Sequence, residues 1–179
     1  DRLLTTDKRL LRRPQEDCCQ ALATPPVLKY QNDGGPTLND LLRLLKASDS
    51  PERDQQLLMQ AQMLFWLIGA IDGHAKNFSI FLGPGGSFQL TPFYDVLSAQ
   101  PSVMKRQVER KALKLALSVG HRNHYRLDTI QPRHFIQSGI DAGLSPEWTK
   151  ALLEQTAVSA MAAIQQIEEE LPKDFPPDI

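Results

Sequence analysis

Several common catalytic signatures are missing from this 179-residue chain. It contains no HExxH, GxSxG, CxxC or Walker motif, so zinc hydrolase, serine hydrolase, thiol redox and P-loop chemistry have no residues to perform them. Its two cysteines, Cys18 and Cys19, are neighbours. That spacing rarely forms a structural disulfide and offers no paired metal ligands. We therefore expect a protein of the reducing cytoplasm.

An excess of charge and a long apolar run are missing as well. Twenty Lys plus Arg balance 21 Asp plus Glu, for a net charge of −1, so no bulk attraction to nucleic acid or to an anionic membrane is expected. The most apolar stretch is too short to span a bilayer, and no membrane partner is predicted. The chain opens without a signal peptide, and the absent initiator Met suggests a fragment.

The apolar content is 41% and the charged content 23%, which suits one domain with a buried core. We predict a single domain over residues 1–179. Residues 1–54 form a lead-in and a first helix, residues 55–100 a buried helix, a catalytic loop and a hairpin, and residues 101–179 a helical carboxy-terminal part. A Pro-rich tail is expected to be loose.

Three helices are predicted from caps and apolar spacing. Thr37 as N-cap with Asp40 starts the first, which ends near residues 48–51. Gln55–Ala70 has little polar face and should be buried on most sides. Ser145 and Pro146 start the third, which reaches about Glu170. Its inward residues are expected to be Trp148, Leu152, Val158, Met161, Ile164 and Ile167.

A turn and a hairpin separate the second helix from the third. The turn dipeptide Asp72-Gly73 lies where the buried helix runs out. Residues 77–82 and 87–91 have the composition of two short strands, and the glycine-rich residues 83–86 between them favour a hairpin. Asp95 follows the second strand. The predicted fold class is mainly α with a small β-hairpin.

Three polar residues of this region match the needs of phosphoryl transfer. Asp72 and Asn77 lie five residues apart, and Asp95 follows eighteen residues later beyond the hairpin. A protein-kinase catalytic loop separates its catalytic Asp from its metal-binding Asn by five residues, and its second metal-binding Asp follows a hairpin. Each residue alone fits a helix end, a turn or a surface carboxylate. The three together favour a kinase.

His74 stands two residues after Asp72, where most protein kinases have Lys. It could donate a hydrogen bond to a γ-phosphate oxygen, or it could be a structural histidine satisfied by nearby backbone. Both alternatives stay open. Lys76 is expected to be solvated.

Two stretches, residues 66–79 and 90–95, resemble the HipA family of Ser/Thr protein kinases. Residues 14–20, 29–36, 113–116 and 132–135 also resemble family stretches, so the resemblance covers nearly the whole chain. It implies a protein-kinase-like C-terminal lobe. The roles that it implies are Asp72 as catalytic base, Asn77 and Asp95 as Mg²⁺ ligands, and His74, Tyr94, Asp95, Val96 and Leu97 against ATP.

The same resemblance implies a cytoplasmic toxin that phosphorylates an aminoacyl-tRNA synthetase. Its partner would be a HipB-like helix-turn-helix antitoxin, and operator DNA would be reached only through that antitoxin. The family's phosphate-covering loop, lysine and adenine hinge belong to an amino-terminal lobe that this chain is expected to lack, so the chain alone is expected to be inactive. Residues 101–110 depart from the family pattern.

Two alternatives remain. DxHxxN followed by a hairpin and an Asp also resembles lipid or small-molecule kinases, and the chain could be a non-catalytic module that binds an antitoxin. Lys105, Arg106, Arg110, Lys111 and Lys114 form a basic run. This run could steer an anionic partner, but a solvated helix face is favoured.

Overall fold

The computed structural model describes residues 2–172 and 174–175. Its helices are α1 (Cys18–Ala21), α2 (Leu38–Leu45), α3 (Pro51–Ile68), α4 (Gln100–Met104), α5 (Pro132–Asp141) and α6 (Pro146–Glu170). Its strands are β1 (Arg2–Leu4), β2 (Leu10–Arg12), β3 (Gln15–Asp17), β4 (Ser79–Leu82), β5 (Phe88–Leu90), β6 (Lys114–Val119) and β7 (His124–Arg126). The prediction of a loose tail falls partly on residues 173 and 176–179, outside the described residues.

The predicted starts of α2 and α6 are confirmed by their caps, but α2 ends at Leu45, before the predicted 48–51, and α3 begins at Pro51 instead of Gln55. The Thr37 hydroxyl accepts from the Asp40 amide at 3.1 Å, and the Asp40 carboxylate accepts from the Thr37 amide at 2.9 Å. Each side chain thus satisfies a donor that the first turn leaves free. Ser145 accepts from the Trp148 amide at 3.0 Å, and Pro146 occupies the first helical position of α6.

The inward face predicted for α6 is wrong beyond its middle. The buried residues of α6 are Thr149, Leu152 and Thr156, where the helix packs against α3 and α5. The exposed fractions farther along are 71% for Val158, 63% for Met161, 51% for Ile164 and 57% for Ile167. The apolar spacing predicts a stripe correctly, but it carries no information on whether another element covers that stripe.

The helix α3, the second of the three predicted helices, is less buried than its composition suggests. Leu58, Met59 and Met63 of α3 are buried, yet Leu64 is 37% exposed and Leu67 45% exposed. One side of α3 is therefore open, in contrast to the prediction that most sides are buried.

Polar side chains of α3 hold both neighbouring hairpins by hydrogen bonds to their backbones. Asp54 accepts from the Leu90 amide at 2.9 Å, Gln62 donates to the Leu117 carbonyl at 2.9 Å, and Trp66 donates to the Leu127 carbonyl at 3.1 Å. Asp54 and Gln62 are almost fully buried. A buried hydrogen bond that lost one partner would leave the other unsatisfied, so these bonds fix where each hairpin lies on α3.

The predicted hairpin β4–β5 forms, but β3 also pairs with β4. Together they make an antiparallel sheet in the order β3-β4-β5, with Ile80 opposite both Glu16 and Leu90. The strands β1 and β2 form a second sheet, and β6 and β7 a third. The prediction of a mainly helical fold with one hairpin therefore underestimates the amount of β-structure.

The core gathers residues from α2, α3, α5, β4 and β6, including Leu42, Met59, Ile80 and Phe135. Cys18 is also buried there as a free thiol, and burial raises its pKa to about 12. A thiol with so high a pKa is a poor nucleophile at neutral pH. Within the described residues, none of the helices combines the length and the apolarity needed to cross a bilayer.

Candidate functional site

The loop after α3 folds back onto the helix because two glycines allow it. Gly69 ends α3 with φ of 69°, a left-handed conformation that favours glycine, and the Ala70 amide then donates to the Phe65 carbonyl at 2.8 Å. A Cβ at Gly73 would overlap the ring of Phe65. The loop therefore lies directly against α3 and turns the Asp72 side chain toward solvent.

The three residues predicted for phosphoryl transfer lie together, and Asn77 links the other two, Asp72 and Asp95. Its Nδ2 donates to the Asp72 carbonyl at 3.0 Å and to Asp95 Oδ2 at 3.3 Å. Asn77 is only 6% exposed, whereas Asp72 and Asp95 are exposed. Asp95 has φ of 57°, and left-handed backbone at a non-glycine residue is concentrated at functional sites.

The geometry of Asn77 and Asp95 fits a magnesium ion. Nδ2 of Asn77 faces the Asp95 carboxylate and makes both hydrogen bonds, so its Oδ1 is left as an acceptor. Among the described residues there is no cluster of three or more His, Cys, Asp or Glu side chains able to hold a metal. Mg²⁺ usually takes one or two protein oxygens and completes its shell with phosphates and water. The pair therefore suits a metal that arrives with a phosphate ligand.

His74 lies beneath the loop. It is 4% exposed, its ring contacts the Tyr30 ring edge-on at a centroid distance of 4.9 Å, and its Nδ1 is buried without a hydrogen-bond partner among the described residues. Burial is the main cause of a lowered pKa for His74, so the imidazole is neutral at pH 7.

The other residues predicted to contact nucleotide occupy different surroundings. The Tyr94 hydroxyl donates to the Lys76 carbonyl at 2.9 Å and lies 2.6 Å from Ser79 Oγ, so it ties the segment before Asp95 to the loop and to β4. Val96 is 36% exposed and Leu97 73% exposed. These two residues follow Asp95 along the surface.

The Lys76 side chain is partly exposed, in line with the prediction of a solvated side chain, but it also forms an ion pair that the sequence did not predict. Its Nζ lies 2.6 Å from Asp17 Oδ2. Asp17 also accepts from the Gln20 amide at 3.0 Å and caps α1. The pair therefore links β3 and α1 to the loop that carries Asp72.

Tyr30 is the site residue that sequence reasoning missed. Its hydroxyl donates to Asp72 Oδ1 at 2.7 Å, and this bond is the main cause of a raised pKa for Tyr30. The two residues are 42 positions apart. Tyr30 lies in a stretch with family resemblance, but no spacing rule pairs it with Asp72.

A cleft of about 550 Å³ begins beside Tyr30. Tyr30, Asn32, Asp33 and Ile71 line it together with the hairpin β6–β7, which contributes Lys114 and Arg126 among other residues. We call it the Tyr30 cleft.

The basic run is exposed, as expected, but it is not helical. The helix α4 ends at Met104, residues 105–109 form an irregular loop, and Arg110–Ala112 is a single short turn before β6. Lys114, the last member of the run, is the first residue of β6.

The chain matches known proteins over nearly all of its length. Residues 1–164 match the family model of the HipA-like C-terminal domain. The chain also resembles a chain of the solved complex of Shewanella oneidensis HipA, HipB and operator DNA, with a TM-score of 0.83 and 25% identity. That match covers 99% of this chain and 42% of the other, which confirms the HipA-like architecture.

Two curated relatives carry kinase names. The putative kinase Y4mE of Sinorhizobium fredii is 37% identical over 121 residues, which are 66% of this chain and 29% of the relative. The Ser/Thr-protein kinase toxin HipA of Shewanella oneidensis is 32% identical over 103 residues, which are 51% of this chain and 24% of the relative. The matched part is under a third of each relative. With a family model that spans residues 1–164, the chain belongs to the HipA-like C-terminal domain family.

Proposed function

We propose that this chain is the catalytic-loop half of a HipA-like Ser/Thr protein kinase, the toxin of a type II toxin–antitoxin system. The observation that carries the proposal is the joining of Asp72 and Asp95 through Asn77 in a chain of this family. Phosphoryl transfer depends mainly on positioning and charge stabilisation. The Asp72 carboxylate and the neighbouring oxygen ligands Asn77 and Asp95 supply this positioning and charge stabilisation.

Asp72 is the catalytic base in this proposal. Its carboxylate is exposed, and the bond from Tyr30 engages Oδ1, which leaves Oδ2 for the acceptor hydroxyl. Asp72 takes the hydroxyl proton as the hydroxyl oxygen bonds to the γ-phosphorus, and the bond from that phosphorus to the ADP oxygen breaks. The products are a phosphorylated Ser or Thr and ADP.

Asn77 and Asp95 hold the Mg²⁺ that accompanies ATP. When bound, the ion neutralises charge between the phosphates. Asn77 presents its amide oxygen because both bonds made by its Nδ2 fix the orientation of the amide. We place His74, Tyr94, Val96 and Leu97 on the nucleotide side of the site. The neutral state of His74 favours hydrogen-bond donation over charge neutralisation.

Nucleotide binding is proposed to need the rest of a longer kinase. The relatives extend well beyond the matched part, and in kinases a separate lobe provides the phosphate-covering loop and its lysine. We therefore expect residues 1–179 alone to bind MgATP weakly. Exposed charge pairs on one side of a cleft contribute about 1 kcal/mol or less each.

The proposed partner is a HipB-like antitoxin, and the proposed contact with operator DNA is indirect, through that antitoxin. Support comes from the structural likeness to a chain of the Shewanella oneidensis complex, which contains HipA, HipB and operator DNA. A cytoplasmic location and an aminoacyl-tRNA synthetase as substrate follow only from the family resemblance.

Asp72→Asn in the full-length kinase tests the proposal. We expect phosphate transfer from labelled ATP to fall about a hundredfold or more, because general-base assistance is typically worth about 10²–10⁴. The melting temperature should hardly change, since Asp72 is exposed. Asp141→Asn is the matched control, an exposed aspartate that pairs with His121. Full activity of Asp72→Asn would exclude Asp72 as the base.

A further inference from the structure

The Tyr30 cleft meets the proposed site through Tyr30, which bonds Asp72 and contacts His74. Tyr30 lines the cleft and donates to the Asp72 carboxylate, and Ile71, which also lines the cleft, is the chain neighbour of Asp72. Asn77 and Asp95 do not line it. Asn77 instead contacts the Asp72 carbonyl. Asp72 is likewise not a lining residue, but its carboxylate is bonded to Tyr30 of the cleft and its carbonyl to Asn77, so the base is linked to both regions.

Hydrogen bonds join the two walls of the cleft. Gln31 Nε2 donates to Ser118 Oγ at 2.7 Å, and the Ser118 amide donates to Gln31 Oε1 at 2.9 Å. Ser118 Oγ in turn donates to Asn123 Oδ1 at 3.0 Å, at the tip of the β6–β7 hairpin. These bonds fix the spacing between the two walls. Because the cleft is already ordered, the entropic cost of binding a ligand is lower. A volume of about 550 Å³ suits a ligand site.

Within the part of the chain that the structure describes, Lys114 of the cleft has no ion-pair partner. Lys114 and Arg126 are direct cross-strand partners, and like charges in that position repel each other. Arg126 is neutralised by Asp128, with Nη2 and Oδ2 2.6 Å apart. Lys114 is exposed and has no carboxylate within ion-pair distance among the described residues. Asp33 on the facing wall disfavours a polyanion such as nucleic acid.

We infer that the Tyr30 cleft binds an extended segment of the protein acceptor and that Lys114 pairs with an acidic side chain close to the phosphorylated residue. This inference rests on the proposed kinase function. Tyr30 then acts as a positioning residue, because it lines the cleft and its hydroxyl holds the Asp72 carboxylate beside it, where the segment presents its own hydroxyl.

The experiment uses Ser-centred peptides that carry one Glu, Gln or Lys at each flanking position in turn. The full-length kinase is assayed for kcat/KM on each peptide. Binding of the same peptides to the Asp72→Asn protein is measured by fluorescence anisotropy. This measurement does not depend on catalysis. We expect Glu to exceed Gln at one or two positions by up to about fivefold, the range of an exposed ion pair.

Charge reversal decides the role of Lys114. In Lys114→Glu, the preferred residue at those positions should change from Glu to Lys. Lys111→Glu is the matched control, because Lys111 belongs to the same basic run but pairs with Glu109 outside the cleft lining. It should retain the preference for Glu. An unchanged preference in Lys114→Glu, or no preference for Glu in the original protein, would overturn the inference.

A second variant tests the cleft itself. Ala116→Trp places a large ring in the cleft from β6, so peptide binding should be lost while MgATP affinity stays the same. Peptide affinity that survives in a variant with an unchanged melting temperature would also overturn the inference. If ATP consumption does not depend on Asp72, the proposed kinase function fails, and the binding measurements still decide whether the cleft takes the peptide.

Discussion

The loop that carries Asp72 and the outer half of α6 are held in opposite ways. Side chains from three directions fix the loop: Tyr30 bonds Asp72, Asp17 pairs with Lys76, and Tyr94 bonds the Lys76 carbonyl. After Thr156, α6 has no buried side chain among the described residues. The loop is thus held by contacts to several distant elements, and the outer half of α6 is not. The long apolar helix contributes to the core only through its first turns.

The largest effect is expected from Gly73→Ala, which should displace the loop that carries Asp72. The added Cβ would overlap the Phe65 ring, so the loop must move off α3 and carry Asp72 with it. We expect kinase activity to be nearly abolished and the free energy of unfolding to fall by about 1–3 kcal/mol, the usual cost of overpacking. Denaturant unfolding and phosphate transfer measure the two effects.

The double variant Gly73→Ala/Phe65→Leu serves as the control. Removal of the ring makes room for the new methyl group, so the double variant should recover part of the activity that Gly73→Ala loses. Equal loss in both variants would mean that the glycine is needed for another reason than its contact with Phe65.

Asp95→Asn in the full-length kinase tests the metal side of the same region. The substitution keeps an oxygen but removes the negative charge beside Asn77, and Mg²⁺ prefers charged oxygen ligands. We expect the affinity for MgATP to fall about tenfold, which corresponds to about 1.4 kcal/mol. Titration calorimetry at several Mg²⁺ concentrations measures it. If excess Mg²⁺ does not restore binding, a role of Asp95 in metal binding is contradicted.

The contrast between loop and helix also explains what the sequence could predict. The cap of α2 and the hairpin β4–β5 depend on neighbours within a few residues, and both predictions are confirmed. Exposure of Ile164 depends on whether a distant element covers it, and spacing along one helix does not carry that information. The alternation of Leu115, Leu117 and Val119 is a period-two signal that could have revealed β6.

The candidate site also contains features that the sequence could predict and features that it could not. Asp72, Asn77 and Asp95 stand out in the sequence because kinases keep such residues at fixed distances on recognisable elements. Their joint placement is visible only in the fold, through Asn77. Tyr30 and Asp17 reach the loop across 42 and 59 positions. No periodicity links residues so far apart, so these contacts required the structure.

A smaller effect is expected from pH, through His74 beneath the loop. Its pKa is lowered by burial from the ordinary value of 6.5, so the unfolded chain binds a proton at a higher pH than the folded one. Stability should therefore be full above pH 6.5 and should fall as the pH drops from 6.5 toward the lower folded pKa. Thermal melts between about pH 7 and 5 measure the slope.

His74→Gln should reduce that slope. His134, whose pKa is also lowered mainly by burial, contributes to the slope in the same direction, so His134→Gln is the parallel variant. The two substitutions together should remove more of the slope than either alone. A slope in His74→Gln equal to that of the original protein would mean that His74 is not buried in its neutral form.

The smallest effect should come from the outer half of α6, where Ile164→Ser is expected to change the free energy of unfolding by less than about 0.5 kcal/mol, as for other exposed substitutions. Leu152→Ala is the matched control on the same helix. Leu152 is 3% exposed, and its truncation should cost about 2–5 kcal/mol, because the surrounding core cannot fully close the cavity. Denaturant unfolding of both variants tests the contrast directly. A loss in Ile164→Ser close to that of Leu152→Ala would show that the outer half of α6 is covered in solution, and the contrast between a tightly held loop and an uncovered helix would then no longer hold.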